Sequence, residues 1–163
     1  MTYLLDANIF IEAKNAHYGM DFAPGFWQWI ERSHEAGVVY SVAKIADELA
    51  VHQDELSAWA ATLPESFFLD VDASTFPSLQ QAAQWAKAQP RFTSAAQAEF
   101  LASGDLYLVA QAHAHGFTVV TRETPDPFVK KRIKIPDVCN GLGVSYTTPW
   151  QLLRVLNARF VLP

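Results

Sequence analysis

Tyr3-Leu4-Leu5-Asp6-Ala7-Asn8-Ile9-Phe10-Ile11-Glu12 reads as a short apolar strand, Tyr3–Leu5, that runs straight into an acid at its carboxyl end. In open α/β sheets, ligands bind outside the carboxyl ends of the strands, so Asp6 stands where chemistry is placed in such folds. Asp also caps helices for purely structural reasons, and the helix after Asp6 offers that alternative. What decides between them is whether other acids of the chain converge on Asp6.

Working outward, similar runs of β-branched and aromatic residues recur at Val38–Ser41, Phe67–Val71, Thr118–Thr121 and Ile133–Ile135. Their length suits strands buried on both faces. Helical patterns fill the gaps. Phe22–Ala36 places Phe26, Trp29 and Ile30 on one face and ends at Gly37; Val42–Val51 lines up Val42, Ile45 and Leu49. Asp54–Leu63 follows, with Asp54 as its cap and Pro64 as its stop. The Ala- and Gln-rich stretches Ser74–Ala88 and Ser94–Ala102 read as two surface helices hinged at Pro90. Asp105–His115 and Pro149–Leu156 complete the set. Strands alternating with helices predict an α/β protein, a three-layer α/β/α sandwich with a central parallel sheet, spanning residues 1–163 as one domain.

Composition narrows the class. Half of the 163 residues are hydrophobic and 13% are aromatic, which excludes a disordered or fibrous chain. Apolar stretches are short and broken by charge, so no membrane span is expected. The start lacks a basic segment followed by a long apolar one, and the single cysteine, Cys139, suits a reducing compartment; a cytoplasmic location is the expectation. Cys139 itself reads as a buried structural thiol. A net charge of −5 argues at first sight against nucleic acid, although acids that hold cations make a chain look acidic before the cations are counted. The dense basic run Lys130, Lys131, Arg132 and Lys134 is either a solvated loop or a phosphate-facing patch.

Four acids fall at comparable places. Asp6 ends the first strand, Glu48 lies beside the apolar stripe of its helix, Asp105 opens a helix, and Glu123 follows the Thr118–Thr121 strand. Carboxylates gathered at one sheet edge would repel unless cations sat among them, and hard oxygen ligands suit Mg²⁺ or Mn²⁺. Each position keeps a structural alternative. Asp47 competes with Glu48 for the inward direction, Asp105 after Gly104 is an ordinary helix cap, and Asp137 is either an extra acid or a cap. His113 and His115 point to different helix faces, the other histidines lack companions at ligand spacing, and the tryptophans read as core. No Gly-rich phosphate loop or G-x-S-x-G elbow occurs.

With these residues in order, the chain resembles the PIN-domain proteins, small metal-dependent nucleases that include the VapC-type toxins of bacterial toxin–antitoxin pairs. The matching pieces are Leu4-Leu5-Asp6-Ala7-Asn8, Ser41 leading to Glu48-Leu49, Gly104-Asp105 with the helix to Gly116, and Val119-Val120-Thr121-Arg122-Glu123. Pro24-Gly25-Phe26-Trp27 and Lys134-Ile135-Pro136-Asp137-Val138-Cys139 further resemble an uncharacterised bacterial PIN-like branch.

The resemblance implies metal-binding, catalytic acids at Asp6, Glu48 and Asp105, with Glu123 at the fourth position, supported by hydrogen bonds from Asn8 and Thr121. It implies Mg²⁺- or Mn²⁺-dependent hydrolysis of RNA phosphodiester bonds, with Lys130, Lys131, Arg132 and Lys134 on the RNA backbone. It also implies a cognate antitoxin as partner and a homodimer. Two departures are visible: Glu replaces the usual Asp at position 123, and Leu106-Tyr107 follows Asp105 where relatives are more polar. Two rivals remain, a non-catalytic PIN-like binding module and a haloacid-dehalogenase-type phosphatase. The phosphatase needs a second Asp two residues after the first, where this chain has Asn8.

Overall fold

Strand β1 (Tyr3–Leu5) is buried at every residue and forms the centre of the sheet in the computed structural model, which describes residues 1–163. It pairs in parallel with β2 (Val39–Val42) on one side and β4 (Thr118–Val120) on the other. Outside these lie β3 (Phe68–Leu69), against β2, and β5 (Tyr146–Thr147), against β4. The order is β3-β2-β1-β4-β5, and all pairs are parallel. The chain therefore winds outward from β1 to β3, then returns across β1 to lay down β4 and β5. A reversal of this kind opens a crevice at the carboxyl ends of the two strands flanking it, here β1 and β4.

Nine α-helices flank the sheet, giving the α/β/α sandwich expected from the alternation of elements. They are α1 (Ala7–Glu12), α2 (Pro24–Glu35), α3 (Ala43–Val51), α4 (Glu55–Thr62), α5 (Phe76–Lys87), α6 (Ser94–Ala102), α7 (Gly104–His115), α8 (Ile135–Leu142) and α9 (Pro149–Val155). Helix α7 is the most enclosed: Leu106, Leu108, Val109, Ala110, Gln111 and Ala112 are all buried, because β2 and β4 cover one side and α5 the other. Gly116 ends it in the left-handed conformation (φ 70°), which glycine adopts without a Cβ penalty. The apolar core runs as one cluster from Tyr3 to Leu152. Cys139 lies fully inside it, and burial pushes its thiol up to about 12, as an inert packing residue requires.

One expectation needs correction. Ile133–Ile135 is not a strand. Ile133 and Ile135 do point inward, but Pro136 occupies the first turn of α8, where a missing N–H costs nothing, and Asp137 Oδ2 accepts the Lys134 N–H at 3.0 Å to cap that turn. The fifth strand is instead Tyr146–Thr147. Helix α5 lies at the surface, with Ala82 and Ala86 fully buried on the inner face that α7 and α8 pack against.

Candidate metal centre

Asp6 stands buried at the carboxyl end of β1. Its backbone N–H continues the ladder by donating to the Val120 carbonyl at 3.1 Å, which fixes it beside the end of β4. It occupies the N-cap position of α1, where the Asn8 N–H of the first turn eases its charge, short of a full capping bond. The carboxylate, only 2% exposed, accepts from Thr121 Oγ1 at 3.2 Å. Thr121 Oγ1 in turn accepts the Glu123 N–H at 3.1 Å, tying the two strand ends together. Asn8 acts on Asp6 through its backbone N–H rather than through its side chain.

Asp105 reaches the same crevice from α7. Ser103, not Asp105, is the N-cap, and Asp105 lies in the first turn. Glu48 completes that turn from a different helix, its Oε1 accepting the Gly104 N–H at 2.9 Å. The approach depends on Gly104 having no side chain, because a Cβ there would stand 2.6 Å from Glu48 Oε1. Glu48 rather than Asp47 therefore faces the crevice. Asp47 lines a separate hollow with Lys44, Leu69 and Tyr107.

The electrostatics show how closely these groups crowd. Asp6 is held well above the ordinary carboxylate range, chiefly by burial and then by the charges of Asp105 and Glu123. Asp105 is pushed up to about 7 by burial, Glu123 and Glu48, while Arg132 pulls it back. No hydrogen bond relieves Asp105. Glu99, on α6, adds a further negative charge beside it, a residue the sequence pattern did not single out.

Glu123 is fastened to the fold through both of its carboxylate oxygens. One carboxylate oxygen accepts the Ile135 N–H at 2.7 Å and the other pairs with Arg132 Nη2. The extra methylene that distinguishes Glu from Asp is used to reach these two donors. Arg132, still half exposed, is tied to Glu123, and Lys134 Nζ bonds the Thr124 carbonyl at 3.3 Å, so Lys130 and Lys131 are the members of the basic run with no side-chain partner. Asp137 is occupied as the α8 cap and by Arg91 at 3.6 Å.

The donor set fits a hard divalent cation in kind: carboxylate oxygens of the buried Asp6, the half-buried Asp105 and the exposed Glu48, with surplus negative charge and too few donors to offset it. As the side chains are set, no three His, Cys, Asp or Glu residues form a ligating group. Charges act beyond ligand distance, so the acids raise one another without standing at ligating distances. Asp6, Glu48 and Asp105 are the residues that would hold an ion.

The sequence model of a family described as a domain of unknown function, DUF4411, matches residues 3–160. The chain belongs to the DUF4411 family. Comparison with curated proteins finds no match. In this DUF4411 chain the matched span takes in β1 through α9, and so every acid of the crevice.

Proposed function

We propose that the chain is a Mg²⁺- or Mn²⁺-dependent endoribonuclease, acting at the crevice between β1 and β4. The observation that carries the reading is the convergence of Asp6 and Asp105, from a strand end and a helix start 99 positions apart in sequence, as mutually repelling acids. A divalent cation bound there would lower the pKa of water and stabilise charge on a phosphodiester oxygen. Asp6, fixed by Thr121, supplies the rigid ligand. Glu48, anchored on the Gly104 N–H, and Asp105, in the first turn of α7, would be the other two ligands. Lys130 and Lys131, exposed on the loop before α8, are available to RNA phosphates, which they would contact without reading sequence. A toxin of a toxin–antitoxin pair, with an antitoxin partner, a homodimeric state and a cytoplasmic location, is the biological setting this proposal carries with it. No helix is long and apolar enough to cross a membrane.

The test is cleavage of unstructured RNA by the purified chain with Mn²⁺ or Mg²⁺, against an Asp6→Asn control. The variant should lose more activity than the roughly 10–100-fold typical of losing an outer-shell partner of a metal. Equal cleavage by both proteins would sink the assignment. The engagement of both Glu123 oxygens favours one alternative, a binding module without cleavage. Tight Mn²⁺ binding with no cleavage of any RNA would select it.

A further inference from the structure

Between Glu123 and α8 the chain makes a loop, Thr124–Lys134, whose ends are stapled together. Glu123 accepts the Ile135 N–H at 2.7 Å, and the Thr124 carbonyl accepts from Lys134 Nζ at 3.3 Å. The middle of the loop is fastened to the connection between α5 and α6. Arg91 donates from Nε to the Val129 carbonyl at 3.0 Å and from Nη2 to the Asp126 carbonyl, and the Thr93 N–H donates to the Lys130 carbonyl at 3.0 Å. Asp126 Oδ1 accepts the Phe128 N–H at 2.9 Å, which sets the turn at the tip. A compact loop held at its ends and its middle presents its side chains from a fixed frame.

At that tip Phe128 stands 87% exposed, although the backbone on either side of it is tied down. The fold forgoes the benefit of burying the ring. Lys130 and Lys131 follow, both exposed and without a side-chain partner. The loop carries four cations and one acid, Asp126, in a chain whose net charge is −5. Helix α6 places it relative to the candidate metal centre. Lys130 is bonded to Thr93, the N-cap of α6, while at the other end Ser103 lines a small cavity with Asp105, Arg132 and Glu99. Nine helical residues span roughly 14 Å. The loop therefore runs alongside α6, from the exposed ring and the two lysines down to Asp105.

Resting on the ribonuclease reading above, we infer that Phe128 is a stacking platform for an unpaired RNA base, with Lys130 and Lys131 on the flanking phosphates, so that this loop selects single-stranded RNA and leads it to the acids. Every base has a π face, so the platform tolerates any sequence but needs a base that is out of a helix. Because the loop is already fixed, stacking costs little ordering. A protein partner suits the surface less well. Lysine is depleted at the cores of protein interfaces, and one ring falls far short of the roughly 800 Å² that each partner of a stable interface buries.

Fluorescence anisotropy of a short labelled RNA without secondary structure tests this, with Ca²⁺ in place of Mn²⁺ as a hard cation for the oxygen ligands. Phe128→Ala should bind the single strand on the order of 10-fold more weakly than wild type. Phe128→Leu, which keeps apolar bulk but has no π face, should be about as weak, and Phe128→Trp should bind at least as tightly as wild type. Affinity for a fully paired duplex of the same sequence should be the same in wild type and Phe128→Ala. All three variants should melt with the wild type, since the side chain they alter lies in solvent.

Equal affinity of wild type and Phe128→Ala for the single strand overturns the inference and leaves the ribonuclease reading to its cleavage test. So does an equal loss on single strand and duplex, or full rescue by Phe128→Leu. If Phe128→Ala turns a self-associated protein into a monomer by light scattering, at unchanged RNA affinity, the ring covers a second copy of the chain and the inference fails. Absence of RNA binding by the wild type overturns it as well; joined to absence of cleavage in Mn²⁺, it overturns the ribonuclease reading too.

Discussion

A single missing side chain governs where Glu48 points. Gly104 lies at the first position of α7, and the Glu48 carboxylate closes on its N–H in space that any Cβ would enter. Gly104→Ala therefore pits a flexible carboxylate end against one methyl group, and the carboxylate moves. Stability should fall by only about 1 kcal/mol, the scale of a lost cap. Mn²⁺ affinity and RNA cleavage should fall far more, on the order of 10-fold or greater, as expected when a ligand is displaced. Thermal unfolding in chelator beside a Mn²⁺ titration separates the two effects. A large stability loss with unchanged metal affinity would show that Glu48 serves only to cap α7. From the sequence, Gly104 could be read as the turn before a helix, but not as the floor under an acid 56 positions earlier.

Among the elements, α8 shows most clearly where sequence reading stops. Strand β1, helix α7 and the acids at their ends were legible because each has a self-contained signal: an apolar triplet meeting Asp6, or a helical stripe between Gly104 and Gly116. Ile133-Lys134-Ile135 carries the opposite trap. Its alternation is that of a strand, and only the Asp137 bond to the Lys134 N–H, which fixes the first turn, reveals a helix. The pairing of Arg132 with Glu123 was invisible for a related reason, since it spans an irregular loop with no period to read.

What seats α8 is again a glycine. Any Cβ at Gly141 would overlap the Trp85 indole of α5. Gly141→Ala gains some helix propensity, up to about 1 kcal/mol, but near a helix end that gain is smaller than the cost of overpacking, about 1–3 kcal/mol. The net expectation is a loss of about 1–2 kcal/mol in urea unfolding. The loss should largely vanish when Gly141→Ala is combined with Trp85→Ala, because the two share one space. Additive losses in the double variant would mean that Gly141 matters for its backbone and not for the indole.

At the scale of the whole molecule, a site built from buried acids sets the pH dependence of the fold. Asp105 titrates near 7 in the folded chain against an ordinary value of 3.8, and Asp6 is raised as well. Between those values the folded state holds protons that the unfolded state has released, so stability falls as pH rises from about 4 to about 7. For Asp105 alone the loss is roughly 2–4 kcal/mol. Below about pH 4 the sign reverses, because Asp54 and Asp72, held low by Lys14, Ser57, Ser74 and Thr75, lose their partners as they protonate. In chelator, the melting temperature should therefore be higher at pH 5 than at pH 7.5, and Asp105→Asn should flatten that difference while stabilising the metal-free chain at pH 7.5. Saturating Mn²⁺ should invert the trend, since protons compete with the ion for the same oxygens and binding strengthens as they leave. The two melting curves, with and without metal, should diverge most at neutral pH. Identical curves, or an Asp105→Asn variant no more stable than wild type in chelator at pH 7.5, would mean that these acids are not the strained cluster their burial implies.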